Sequence, residues 1–160
     1  MAYVTVDPQR PKDYPPNIQA VLKAPSPASA YLGLELLEVD TEVLRVRIAF
    51  NAEDRLCNKW GGLHGGMVAA MLDDCMAIAV GLSLEWGEIS PTLEMKSSFI
   101  VAGRPGRLVG EGWTVKRGKS VAFLEAELRD AGGGLVATGS STARIVQTKR
   151  DKRGAAPRPM

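Results

Sequence analysis

Residues 61–75 read GGLHGGMVAAMLDDC. This segment holds the chain's single histidine, His64, between two glycine pairs, followed by an apolar run interrupted by Asp73 and Asp74. From Gly65 to Leu84 every residue except Asp73, Asp74 and Ser83 is apolar or glycine. About 20 such residues would cross a bilayer, but two mid-span carboxylates would cost roughly 2.5 kcal/mol or more each. The segment is therefore expected to be a helix buried within a soluble domain.

Its surroundings support that reading. On the N-terminal side, YLGLELLEV and EVLRVRIAF flank the turn Asp40-Thr41, and Leu44, Val46, Ile48 and Phe50 alternate with Arg45, Arg47 and Ala49. That period of two marks a half-buried strand. The helix is expected to end near Trp86-Gly87. Four extended segments follow: PTLEMKSSFIV, RLVGEGWTV, SVAFLEAELRD and LVATGSSTARIV, separated by AGRPG, KRGK and AGGG. The expected architecture is α+β, two strands, one long helix and a meander of four strands. Because the helix is apolar on all sides, the antiparallel sheet must wrap around it. Ala69, Ala70, Cys75, Ala77 and Ala79 are small enough to allow close approach.

The 160 residues suit one domain. Residues 1–27 carry six of the ten prolines and form an arm, with a short helix expected at NIQAVLKA capped by Asn17. The domain proper spans 28–147. Residues 148–160 are a basic, proline-containing tail, expected to be disordered. A net charge of +2 gives no reason to expect nucleic acid or an anionic membrane as a partner. Two cysteines, Cys57 and Cys75, make no disulfide framework, and the N-terminus lacks a signal-peptide pattern, so a cytoplasmic location is expected.

The helix should begin at Gly65-Gly66. Its first N–H groups lack internal partners and carry the positive end of the helix dipole, and glycine lets a ligand reach the backbone. Such a start is suited to binding an oxyanion, or is simply a glycine-rich loop entering a helix. A buried carboxylate, in turn, is a candidate for acid–base or nucleophilic work. Asp73 lies seven residues after Gly66 and so on the same face, whereas Asp74 is rotated by about 100°. Asp73 is the better candidate, and Asp74 is left without a role beyond coupling to its neighbour's titration. Gly65 and Asp73 stand roughly 12 Å apart along the axis, while reacting atoms need to be about 3–3.5 Å apart. Either the two do not cooperate, or Asp73 acts with a Gly65 from another subunit, as a two-fold dimer would arrange twice.

Asn58-Lys-Trp-Gly-Gly-Leu-His64-Gly65-Gly66, with Asp73 nine residues after the histidine, resembles the hotdog-fold thioesterases of the PaaI-like acyl-CoA group. The resemblance implies a sheet wrapped around one central helix and hydrolysis of an acyl-CoA, of aryl-acetyl or medium-chain type, to free acid and coenzyme A. It implies no cofactor beyond the coenzyme A of the substrate, and self-association as a dimer or dimer of dimers with composite active sites. It further implies that the Gly65 N–H polarises the thioester carbonyl and that Asn58 holds the carbonyl, the leaving thiolate or water. Asp73 is the implied base or nucleophile and His64 positions substrate or loop. Thr92, at the position of a water-orienting Ser or Thr, follows Pro91. Gly66 belongs to the substrate-binding backbone. Trp60 is a candidate to line an acyl pocket or to pack, and Lys116, Arg117 and Lys119 could meet coenzyme A phosphates or simply be solvated. Asp74 stands outside the family pattern.

Other chemistries fit less well. RGKS at 117–120 lacks the first glycine of a phosphate-binding loop, with Trp113 in its place. One histidine and two separated cysteines are too few for a metal site. No G-x-S-x-G elbow is present, and a Cys57–His64 thiol pair has no supporting feature. A non-catalytic acyl-CoA-binding module is the alternative function, and a hotdog dehydratase would want a different His–acid spacing.

Overall fold

The structure is a computed structural model that describes residues 3–148. The basic tail therefore lies outside the described residues, except for Thr148. A short strand β1 (Val4–Thr5) leads to helices α1 (Pro16–Lys23) and α2 (Pro27–Tyr31). Strands β2 (Leu34–Asp40) and β3 (Arg45–Ala52) precede the long helix α3 (Gly65–Gly81). Then come β4 (Glu88–Ile89), β5 (Thr92–Phe99), β6 (Gly106–Arg117), β7 (Val121–Arg129), β8 (Leu135–Arg144) and β9 (Val146–Gln147).

Seven strands form one antiparallel sheet in the order β1-β2-β3-β6-β7-β8-β5, and β4 pairs with β9. The chain is thus α+β, a sheet curved around one central helix. Alternation explains the strands: in β7, Ala122, Leu124, Ala126 and Leu128 are buried while Phe123 and Glu125 are exposed. The buried side meets Met71, Leu72, Cys75, Met76, Ala79 and Val80 of α3, none of them measurably exposed.

Four expectations are corrected. The later strands are not a simple meander, because β5 crosses the sheet and pairs with β8, leaving β6 to join β3. The long helix stops at Gly81, and a turn segment carries the chain on to Gly87. Leu44 is a turn residue with φ of 52°, so β3 starts at Arg45. Asn17 does not cap α1: Pro16, whose fixed φ suits the first helical position, sits there instead. Asn17 reaches across to the Leu84 carbonyl. Helix α1 covers part of α3 that the sheet leaves open, burying Ile18 completely.

Close approach of helix and sheet depends on glycines in β6 as much as on small residues in α3. A Cβ added at Gly112 would collide with the backbone carbonyl of Cys75, and one at Gly110 with the Cys75 sulfur. Backbone cannot move aside as a side chain can. Gly112→Ala is expected to destabilise the fold by about 3 kcal/mol, seen as a lowered urea midpoint. An unchanged midpoint would show that helix and sheet are less tightly apposed than this.

Candidate active site

The loop before α3 is fixed by backbone hydrogen bonds. Asn58 N–H donates to Gly62 O, His64 N–H to Leu56 O, and Leu63 N–H to Gly103 O at 2.8–2.9 Å. Within it Asn58 Oδ1 accepts from the Trp60 N–H at 2.9 Å, which leaves the amide nitrogen of Asn58 as the available donor. His64 caps the helix: its Nδ1 accepts from the Gly66 N–H at 3.0 Å. The Gly66 N–H is therefore occupied, and the Gly65 N–H, pointing out of the helix end, has no partner among the described residues. The ring of Phe99, at the end of β5, lies 3.5 Å from where a Gly65 Cβ would stand.

The second group lies two turns along α3. Thr92 Oγ1 donates to Asp73 Oδ1 at 3.0 Å. Strict alternation back from Met95 and Phe99, which face the helix, would turn Thr92 outward. A bulge between Thr92 and Glu94 shifts the register and returns Thr92 to the helix side. Asp73 and Thr92 are thus brought together, as are Asn58, His64 and Gly65, but one group sits at the middle of the helix and the start of β5, the other at the helix N-terminus beside the end of β5.

Asp74 turns away from Asp73. Its Oδ1 accepts from Ser29 Oγ at 3.1 Å, and its Oδ2 is buried without a partner. Burial pushes its carboxyl up to about 6; the Ser29 hydrogen bond opposes this and the charge of Asp73 adds to it. Because the folded value exceeds the ordinary 3.8, ionisation works against the fold. Stability should fall as pH rises from about 4 to 6 and then level off, by an amount on the order of 3 kcal/mol. Asp74→Asn should remove this fall, as urea titrations at several pH values would reveal. Identical pH dependence in both proteins would refute it.

The remaining candidates are spread out. Trp60 is 80% exposed, with the Lys59 ammonium 4.6 Å from its ring centre, and packs into no core. Lys116 and Arg117 end β6, and Lys119 lies in the turn to β7, which is closed by Gly118 N–H to Val121 O. Arg117 is bound to Glu88 at 3.2 Å, while both lysines are exposed. The ladder Arg117–Ala122–Ala143–Thr92 runs straight across the sheet. At about 4.8 Å per strand the turn lies about 14 Å from Thr92, so it belongs to the Asp73 end. The Cys57 thiol faces the Gly61 carbonyl at 3.8 Å, not His64. Burial pushes the Cys75 thiol up, out of reactive range. Among the described residues no three His, Cys, Asp or Glu side chains gather to hold a metal, and no helix is long and apolar enough to cross a membrane.

Sequence reasoning missed Phe99 and Ser29. Phe99 ends a strand whose sheet position was misjudged, and Ser29 lies in the segment read as entering the first strand; neither carries a local signal of a site.

A family model for the thioesterase superfamily matches residues 61–137. A solved structure of a phenylacetic acid degradation-related protein from Ralstonia eutropha superposes with a TM-score of 0.72 at 33% identity, covering 76% of this chain and 94% of that one. Acyl-coenzyme A thioesterase 13 of Homo sapiens is 28% identical over 103 residues, 63% of this chain and 73% of the relative. A thioesterase from Haemophilus influenzae shares the fold, with a TM-score of 0.73 at 18% identity over 84% of this chain and 92% of that one. Helix, sheet and histidine–glycine loop together define a thioester hydrolase. The chain belongs to the hotdog-fold thioesterase superfamily, within its PaaI-like group.

Proposed function

We propose that the protein hydrolyses an acyl-CoA to a carboxylic acid and coenzyme A in a site shared between two subunits. The observation that carries this is the pairing of Thr92 with Asp73 at one end of β5 while the Phe99 ring lies against Gly65, whose N–H has no partner among the described residues, at the other. Strand β5 is an edge of the sheet, and Leu93, Phe99, Ile100 and Val101 are each more than half exposed. Such an edge is a template for another strand. Antiparallel pairing of two copies of β5 across a two-fold axis lays the Thr92 end of one beside the Phe99 end of the other. Both sites are then completed at once, and the roughly 12 Å along one helix ceases to be an obstacle.

In this arrangement the Gly65 N–H of one subunit receives the developing oxyanion, with the Asn58 amide directed at the carbonyl or the departing sulfur. Asp73 of the other subunit takes a proton from the attacking water, which Thr92 orients while its own hydrogen is held by the carboxylate. The water oxygen bonds to the carbonyl carbon; on collapse the C–S bond breaks, and the proton taken by Asp73 passes to the departing sulfur, so that coenzyme A leaves as the thiol. Lys116 and Lys119, on the Asp73 side of the sheet, are free to meet its phosphates, and Trp60 overhangs the loop at the Gly65 end. The named relative acyl-coenzyme A thioesterase 13 supports the choice of coenzyme A as carrier.

The test is thiol release from a panel of aryl-acetyl and medium-chain acyl-CoAs, read with a chromogenic thiol reagent alongside the mass of the protein in solution. Turnover by a dimer or tetramer is expected. Saturable binding without thiol release would mark a non-catalytic acyl-CoA-binding module, and full activity in a monomer would overturn the shared site.

A further inference from the structure

The residues between β1 and β2 cross the open side of α3 as a strap tied at both ends. At its start β1 pairs with β2, and the Val6 N–H donates to Leu37 O at 2.8 Å. At its end the Tyr31 carbonyl accepts from Arg55 at 3.1 Å. Gly33, with φ of 73°, packs so closely on the Asn51 backbone that a Cβ there would collide. Between these anchors, Ile18 of α1 is completely buried, and Asn17 reaches the Leu84 carbonyl at 3.5 Å, a long contact. Ser29 of α2 donates its hydroxyl hydrogen to Asp74 Oδ1 at 3.1 Å, and so accepts from the Ser26 hydroxyl at 2.8 Å. That chain of hydroxyls brings one donor to the carboxylate. Asp74 Oδ2 is buried without any, beside a pocket of about 320 Å³ that the strap covers.

The charged groups around Asp74 do not offset this. Asp73 precedes it on α3, and the Cys75 thiol that follows is buried. Glu88 of β4 lines the same pocket, with its own charge met by Arg117 at 3.2 Å. On α1 the ionisable residue is Lys23, exposed in the last turn, and on α2 it is Tyr31, stacked with Arg55. A buried carboxylate oxygen with no donor is strongly disfavoured, whereas a neutral carboxyl is far less costly to bury. We propose that Asp74 is a pH-operated latch: protonated, it holds α1 and α2 down on α3, and ionised, it releases them to an open state in which water solvates the carboxylate and the pocket is uncovered. The direction follows from linkage. In the seated strap burial raises the carboxyl to about 6, and in the open strap water returns it toward the ordinary 3.8. The seated value is the higher one, so seating is favoured below about pH 4, weakens as pH rises to about 6 and then levels off. The open population should rise on the order of 100-fold across that range. The latch needs neither turnover nor a partner subunit, so it stands or falls apart from the hydrolytic reading.

The experiment is hydrogen–deuterium exchange of the full chain between about pH 4 and pH 8, with each amide corrected for its intrinsic rate. The reporters are the amides bonded within the strap, such as Ala24 N–H on Ala20 O and Ala30 N–H on Ser26 O. Amides of β7 report unfolding of the whole domain. Strap amides should lose protection on the order of 100-fold as pH rises from about 4 to 6 and should exchange faster than those of β7 throughout. Low urea should speed β7 and leave the strap unchanged, because urea drives an opening in proportion to the surface exposed. Asp74→Asn keeps the size of the side chain and should remove the pH dependence. Should that variant not fold, Ser29→Ala deletes the donor that favours the charged form and should move the transition to higher pH. Strap protection that is constant with pH, or that changes only in step with β7 and with urea, would overturn the latch. So would a pH dependence that survives in Asp74→Asn or is unmoved in Ser29→Ala.

Discussion

Replacing Asp73 by asparagine is expected to lower kcat for acyl-CoA hydrolysis by about 100- to 10,000-fold with little change in KM. Asparagine has the same shape, and its side-chain oxygen can still accept from Thr92 Oγ1, which now sits 3.0 Å from the carboxylate. Packing and substrate contacts are thus preserved, and only the capacity to take a proton is lost. Asp73 is half-buried on the helix face beside β5, so no other carboxylate can replace it: Asp74 turns toward Ser29. The measurement is thiol release under saturating and limiting acyl-CoA, with thermal unfolding as the check on folding. Hydrolysis retained by the variant would remove Asp73 from the chemistry.

The second large effect is expected from Gly65→Pro. Proline deletes the one N–H assigned to the oxyanion and is well tolerated at the first helical position. His64, before it, has φ of −65° and ψ of 132°, the extended conformation that a following proline favours. The nearest obstacle to a new Cβ is the Phe99 ring at 3.5 Å, an ordinary contact. A loss of about 100- to 1,000-fold in kcat should follow. The two variants also test the shared site together. Each has lost a group from the opposite half, so in a mixed dimer one site carries both lesions and the other neither. Co-refolding equal amounts should restore about a quarter of wild-type activity, given statistical pairing in a two-fold dimer. Recovery of none would mean that Gly65 and Asp73 serve one site from the same chain, or that they do not cooperate.

Much of this was legible along the chain. His64, the glycines after it and Asp73 lie within one helix and its entry, so helical periodicity alone relates them. The alternation in β3 and β7 is equally local and revealed which faces are buried. Thr92 was harder, because the bulge between Thr92 and Glu94 reverses the facing that alternation predicts. The partnership of β5 with β8, between which β6 and β7 intervene in sequence, was not legible: pairing between strands distant in sequence depends on how the whole sheet packs on the helix. Phe99 over Gly65 and Ser29 on Asp74 follow from that packing.

The sequence by itself determined that a buried helix starts at a glycine pair and carries an acid two turns later, too far apart to act on one carbonyl from the same chain. Its periodicities are local, and local geometry suffices for that conclusion. Only the tertiary structure decided what surrounds each group: that His64 occupies the Gly66 N–H and leaves Gly65 free, that edge strand β5 sets Thr92 on Asp73 and Phe99 against Gly65, and that Asp74 faces a pocket behind the N-terminal helices. Those arrangements arise from contacts between segments far apart in the chain, where burial, and not spacing, sets which polar atoms are left without partners.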